Sequence, residues 1–228
     1  MNKPIMKRAL YASMISLGCA STAFANSGDI AIGAKASTLG FGGEVTVGIS
    51  PVFNARAGYN GYNYNGSTSQ NLINYDYKLS LGSFPVLLDW YPIENSGFRL
   101  SPGVIFNNNK VSATGTSSQA GSFTIGGQTY STTQIGSLTG TVDFDKTVPY
   151  AGIGWGNAVG NNSGLSFALD LGVMFQGTPK VALAATNPAI QNNPTFQSNL
   201  NKEIADLKDK TDKFKYYPVV SIGLAYKF

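Results

Sequence analysis

The residues with the most chemical reach in this chain are charges that share one parity of short alternating stretches: Lys35, Glu44, Arg56, Lys78, Asp89, Arg99 and Asp170. Both signs are present. If these side chains face a confined interior, opposite charges must pair, because an unpaired ion there is costly. Two outcomes follow: an internal salt-bridge network that fills the interior, or a gated path for ions or solutes, which needs a wider or movable interior. Catalytic alternatives are thin. The chain has no histidine, and its single cysteine, Cys19, lies near the N-terminus. A Ser or Thr nucleophile would need a lysine or carboxylate as base. No Ser-x-x-Lys spacing occurs, and Ser166 and Asp170 in "SFALD" lack a third partner. Asp143 and Asp145 in "DFD" offer hard ligands, but calcium takes six to eight oxygens and no loop of that kind follows. The pairs Gly42-Gly43 and Gly126-Gly127 match no phosphate-cradling motif. No catalytic residue, metal site or cofactor is expected.

The elements that position these charges read as strands. Alternation of apolar with polar or small residues marks stretches at 30–39, 41–49, 52–62, 75–91, 98–106, 147–155, 165–176 and 216–228. The stretch near 165 is the clearest, with Leu165, Phe167, Leu169, Leu171, Val173 and Phe175 against Ser166, Ala168, Asp170 and Gly172. In 75–91 the apolar parity changes at Gly82-Ser83, which predicts a β-bulge. Eight strands bring both termini to one rim and let a sheet close without edges.

A leader precedes them. Lys3, Lys7 and Arg8, the apolar "ALYASMISLGCASTAF" and the small-x-small "AFA" predict a secretory signal over residues 1–25. Lipid attachment at Cys19 is the rival, with Ser16 where such sites usually carry Leu. Without the leader no cysteine remains, so an exported chain cannot rely on disulfides. Three of the basic groups go with it, leaving the rest near charge balance and no sign of a nucleic-acid partner.

Residues 26–228 then form one domain. Charge is sparse at 12%, aromatics reach 12%, and no apolar run approaches a membrane helix. Exported, aromatic-rich, charge-poor and alternating, the chain predicts an all-β, transmembrane, antiparallel up-and-down β-barrel of eight strands. Connections test this. "SP", "PIENSG" and "GNAVGNNSG" alternate with long links at 63–74, 107–146 and 177–213, as two unlike rims require, although the first hairpin near Leu39-Gly40 is tight on the long side. Aromatics test it again: Trp90, Trp155, Tyr226 and Phe228 fall at one level, and Tyr59, Tyr62, Tyr75, Tyr77, Phe106, Phe175, Tyr216 and Tyr217 at the other. Two girdles are how amphipathic rings settle at two lipid interfaces. A secreted β-sandwich would alternate too, but has no need of girdles.

Two long links carry structure of their own. "SFTIGGQTYS", residues 122–131, predicts a protruding hairpin. Leu200, Ile204, Leu207 and Phe214 recur at helical spacing, so an amphipathic helix is expected over 198–213, either packed on the mouth or acting as a lid or partner-binding helix.

The leader, "GLSFALDLGVMFQG", "LLDWYP" and the ending "VVSIGLAYKF" resemble the small Gram-negative outer-membrane β-barrel families, loosely the OmpA/OmpX and OmpW-like group. That resemblance covers the chain after the leader and is architectural. It implies an outer-membrane location with lipid and lipopolysaccharide as surroundings, and a monomer. Phe228 with Tyr226, Leu224, Ile222 and Val220 looks like the signal by which the barrel-assembly machinery takes up its substrates. The resemblance implies no particular activity; with no histidine to act as a base, the leading expectation is a non-enzymatic role in envelope structure or surface binding through the long loops. The alternative is passive transport of small apolar molecules, which predicts an apolar pocket near the outer mouth that opens sideways into lipid.

Overall fold

A computed structural model describes residues 27–70, 72–94, 96–117, 121–160 and 164–228. The expected leader lies outside the described residues. The chain order is β1 (Ile30–Ser37), β2 (Gly40–Ser50), β3 (Phe53–Gln70), β4 (Ile73–Trp90), β5 (Phe98–Asn107), β6 (Lys110–Thr116), β7 (Ser122–Ile125), β8 (Gln128–Ser131), α1 (Thr132–Ile135), β9 (Leu138–Asp143), β10 (Thr147–Trp155), β11 (Gly164–Phe175), β12 (Lys180–Ala185), α2 (Pro188–Gln191), α3 (Pro194–Thr211), a 3₁₀ turn (Asp212–Lys215) and β13 (Tyr216–Lys227).

Eight of these strands close a ring in the order β1-β2-β3-β4-β5-β10-β11-β13, and β13 returns to β1 from Ala31↔Lys227 to Ser37↔Ser221. Every pairing in the ring is antiparallel. The outward face is a continuous apolar band: Ile32, Val45, Val86, Leu88, Phe167, Leu171, Ile222 and Leu224 are all exposed. A surface of that extent suits hydrocarbon, not water.

Aromatic pairs bound the band. Phe53 stacks on Trp90, and Phe98 and Trp155, like Tyr226 and Phe228, meet edge to face at the short-turn rim. Phe84 meets Phe106, and Phe175 meets Tyr216, at the other rim. Tyr59 is exposed there too. Tyr75 and Tyr217 do not belong to this girdle. Tyr75 packs on the extramembrane core and Tyr217 on the apolar cluster inside the barrel. Both lie on inward parity, which a count of aromatics by level does not separate from outward parity.

No bulge occurs at Gly82-Ser83. β3 and β4 keep one register from Asn54↔Asp89 to Gln70↔Ile73. The apolar parity changes near Gly82, where β4 leaves β5 and takes β6 as its neighbour. Beyond it the inward row is the apolar one: Ile73 and Tyr75 pack in the extramembrane core, and Tyr77 stays exposed.

Above this level one side of the wall continues. β4 exchanges β5 for β6, and β6, β9 and β12 prolong the sheet. The first two stretches read as long loops are therefore largely sheet, while the third, 177–213, holds β12 and is otherwise mostly helix. Ile73, Phe123, Ile125, Ile135, Ala185, Phe196 and Leu200 form a second core between this extension, the β7–β8 hairpin and α3. That hairpin turns on Gly126 and Gly127 at φ 58° and 88°, the positive values a two-residue turn requires, and it pairs apart from the ring. The helix begins at Pro194, behind Asn193, whose side chain caps Thr195 and Phe196. Its buried anchor is Phe196, ahead of the expected start, whereas Phe214 lies on the 3₁₀ turn and is exposed.

Candidate functional site

The interior is organised in three layers. In the middle, β1, β2, β3, β4, β5 and β11 each send one charge inward from the parity opposite the apolar band. Lys35 Nζ lies 2.6 Å from Glu44 Oε2. Arg56 is the hub. Its Nε sits 2.9 Å from Asp89, its Nη1 3.1 Å from Asp170, and Glu44 is 3.5 Å away. Arg99 donates to Asp170 at 2.7 Å and to the Gly156 carbonyl, and stands 3.7 Å from Asp89. Ser101 Oγ donates to Asp89 at 2.6 Å. Three cations face three anions, so the layer is neutral. Arg56, Asp89, Arg99 and Asp170 are at most 6% exposed. Burial at that depth holds charges only where each has a partner and geometry this close. The backbone must also make way: a Cβ on Gly154 would come within 2.8 Å of the Asp170 carboxylate and 2.9 Å of Arg99 Nε.

Toward the short-turn rim, Asn54 donates to Tyr91 Oη and Asn157 Oδ1, and Tyr91 to the Gly156 carbonyl. Lys227 ends this layer, 2.6 Å from Asp29 and donating to the Gly160 carbonyl. Toward the other rim the interior turns apolar. Leu39, Leu87, Ile105, Val148, Tyr150, Met174 and Val219 pack into one cluster with Tyr217 against it. Leu39 comes from the tight β1–β2 hairpin, which is pinned over the lumen. Tyr217 Oη donates to the Thr38 carbonyl at 2.6 Å, and Thr38 Oγ1 to the Pro218 carbonyl at 3.0 Å. Between the charged layer and this cap lies a cavity of about 20 Å³, lined by Lys35, Asn60, Asp170 and Ser221 among others. That is room for about one water.

Six of the charges read from the sequence, Lys35, Glu44, Arg56, Asp89, Arg99 and Asp170, meet in this layer. Lys78 does not. It lies above the membrane level on the outer face of the extension, exposed and paired in register with Asn65 and Ser112. The correction follows from the single β3–β4 register: with no bulge, Lys78 shares the parity of Val86 and Trp90, not that of Asp89. Sequence reasoning also missed Ser101, Asn54, Tyr91, Asn157 and the Asp29–Lys227 pair. Ser101 and Tyr91 each stand two residues from an inward charge, so strand parity alone would have found them. The cap had a signal as well, since Leu87, Ile105, Val148 and Val219 are apolar residues on the polar parity.

Phe228 is 72% exposed at the end of the outward row Val220, Ile222, Leu224 and Tyr226, and its N–H donates to Ile30. Among the described residues, an apolar hollow lies on the lipid face, between Phe53, Leu88, Trp90, Leu100, Pro102 and Ala151. It sits near the short-turn rim, not at the outer mouth. No cluster of three or more metal-ligating side chains occurs among the described residues.

No family model matches the sequence, and no curated protein does. Among solved structures, the chain is similar to CarO2 of Acinetobacter baumannii, with 22% identity over 89% of this chain and 100% of that one and a TM-score of 0.57. It is similar also to CarO of the same organism, with 20% identity over 87% and 97% of the two chains and a TM-score of 0.55. At such identities the likeness concerns fold, and the chain has the fold of a small outer-membrane β-barrel with an eight-stranded ring.

Proposed function

We propose that this protein resides in the bacterial outer membrane as a closed, non-enzymatic barrel, whose task is to hold the extension of β3, β4, β6, β9, β12 and α3 at the cell surface for envelope structure or surface binding. One observation carries the reading: the lumen is filled at the level of Arg56 by a neutral, mutually paired set of six charges. An eight-stranded barrel is just wide enough for its own side chains, and these use the space. Opening a path would separate ion pairs buried at this depth, which is costly. The apolar cap of Leu39, Leu87, Ile105 and Val219 adds a second closure. The extension, by contrast, has a core of its own and exposed faces. The absence of histidine supports the non-enzymatic part.

Planar bilayers carrying the purified protein provide the test. The closed reading expects no stable unitary conductance for the wild type. Reproducible channels that disappear on changing Arg56 or Asp89 would instead assign solute transport to the lumen.

A further inference from the structure

The wall of the barrel is uneven at the top, and one strand pays for it. β2 pairs with β3 only as far as Phe41↔Gly61, because the β1–β2 hairpin is held down over the lumen. β3 runs on to Gln70 with β4 as its neighbour on one side and, among the described residues, no strand on the other.

Ladder alternation identifies which backbone groups are left. Gly82 directs its N–H to Asn109 and its carbonyl to Asn108, away from β3, so Gly61↔Gly82 is a non-hydrogen-bonded pair. Counting outward, the N–H and C=O groups of Asn63, Asn65, Ser67 and Ser69 point away from β4. They form a row about 20 Å long at ordinary strand rise.

Natural proteins guard such edges with lysine, proline, inward charge, bulges or a covering element. None is found here. Residues 61–70 read "GYNYNGSTSQ", without charge or proline, and their register with β4 is regular. The opposite margin of the same sheet is guarded, since α2 and α3 pack on β12 and Gln191 donates to the Ala185 carbonyl. One side of the open edge is also apolar. Tyr64 and Tyr77 are 48% and 38% exposed on the face that continues the lumen row, with ring centroids 6.1 Å apart, while the Tyr62 ring, 42% exposed, meets that of Phe41 edge on at 6.2 Å. The other face presents Asn63, Asn65 and Ser67, with exposed Lys78 and Asp76 of β4 opposite Asn65 and Ser67 one strand further in.

We infer that residues 62–70 of β3 are a strand-addition site for an extended segment of a partner polypeptide, with apolar or aromatic side chains at the alternate positions that meet Tyr62 and Tyr64. Only an extended backbone supplies donors and acceptors at the spacing of this row. The uncharged edge calls for an equally uncharged strand, because a charged residue laid here would lose water and gain no counter-ion from 61–70. A second copy in the same membrane is a poor occupant. Its β3 also runs outward, so the two edges cannot pair antiparallel, and parallel pairing is weaker. The inference rests on the surface-binding reading above and deepens it.

The test uses the full mature chain in lipid nanodiscs. The probe is a synthetic peptide of about ten residues alternating valine and threonine around a central tyrosine. Binding is expected, with slowed amide exchange at Asn63, Asn65, Ser67 and Ser69 but not at their neighbours. Ser67→Pro removes a donor from the free edge without touching the β4 ladder. It should weaken the peptide about tenfold or more, whereas Lys78→Ala should leave it unchanged. Unaltered exchange at those amides, or equal binding by Ser67→Pro, overturns the inference. Two further results also overturn it: a linear maltooligosaccharide that binds in place of the peptide and is lost with Tyr64→Ala, and disulfide capture between copies carrying Asn65→Cys that excludes the peptide. Failure of the peptide leaves the conductance result standing, so the two readings fail separately.

Discussion

Replacing Arg56 by leucine is the most informative perturbation of the lumen. Arg56 contacts Asp89 at 2.9 Å and Asp170 at 3.1 Å, with Glu44 at 3.5 Å. At an effective dielectric of about 20, a unit pair 3 Å apart interacts with roughly 5–6 kcal/mol. Most of that offsets desolvation, and removing one member of a buried pair costs about 3–5 kcal/mol net, chiefly through the uncompensated partner. Arg56→Leu leaves three carboxylates facing Lys35 and Arg99, so the expected loss is about 3–5 kcal/mol. The structure also names the repair. Adding Asp89→Asn leaves two clean pairs, Lys35–Glu44 at 2.6 Å and Arg99–Asp170 at 2.7 Å, while Ser101 keeps a partner in the amide. The double variant should therefore recover at least half of the loss. Denaturant unfolding from bilayers measures this, followed by the fluorescence of Trp90 and Trp155, which both lie on the lipid face. A single variant within about 1 kcal/mol of wild type, or a double variant no better than the single, would refute the reasoning that the layer is held by charge pairing.

Three further outcomes follow. Phe228→Asp should sharply reduce heat-modifiable, folded barrel in cells, while Phe228→Tyr should not; since a carboxylate near the interface costs only about 0–1 kcal/mol, refolding of the purified variant should remain normal, and a matching defect in vitro would point to stability instead of assembly. Deleting residues 194–211 uncovers the extramembrane core but touches no ring strand, so the mobility shift on heating should persist while the β6–β9–β12 region becomes protease-sensitive; loss of the shift would make α3 part of the barrel's folding unit. Gly154→Ala drives a methyl group into Asp170 and Arg99 and should destabilise by about 1–3 kcal/mol, whereas Gly43→Ala, with its nearest neighbour at 3.4 Å, should be close to neutral in the same unfolding experiment.

Much of this architecture is local, and period-2 alternation is a local property. Ile222, Leu224 and Tyr226 against Ser221, Gly223 and Ala225 settle β13 and its lipid face from the chain alone, and the same logic brought Arg56, Asp89, Arg99 and Asp170 to one side of the sheet. What alternation does not carry is height and neighbour. Lys78 and Tyr75 sit on strands that are as regular above the membrane as within it, so nothing in their own sequence marks where the solvent changes. Tyr217 looked like a girdle ring until the β1–β2 hairpin supplied the Thr38 carbonyl beneath its hydroxyl. The pairing of six charges depends on strands from opposite sides of the ring, with Arg56 and Asp170 separated by 114 residues. The uncovered edge of β3 arises only because β2 stops at Gly40 while β3 continues. Alternation chose the face of each residue; the closure of the ring, and the unequal heights of its strands, decided which faces would meet charge, lipid, protein or a partner.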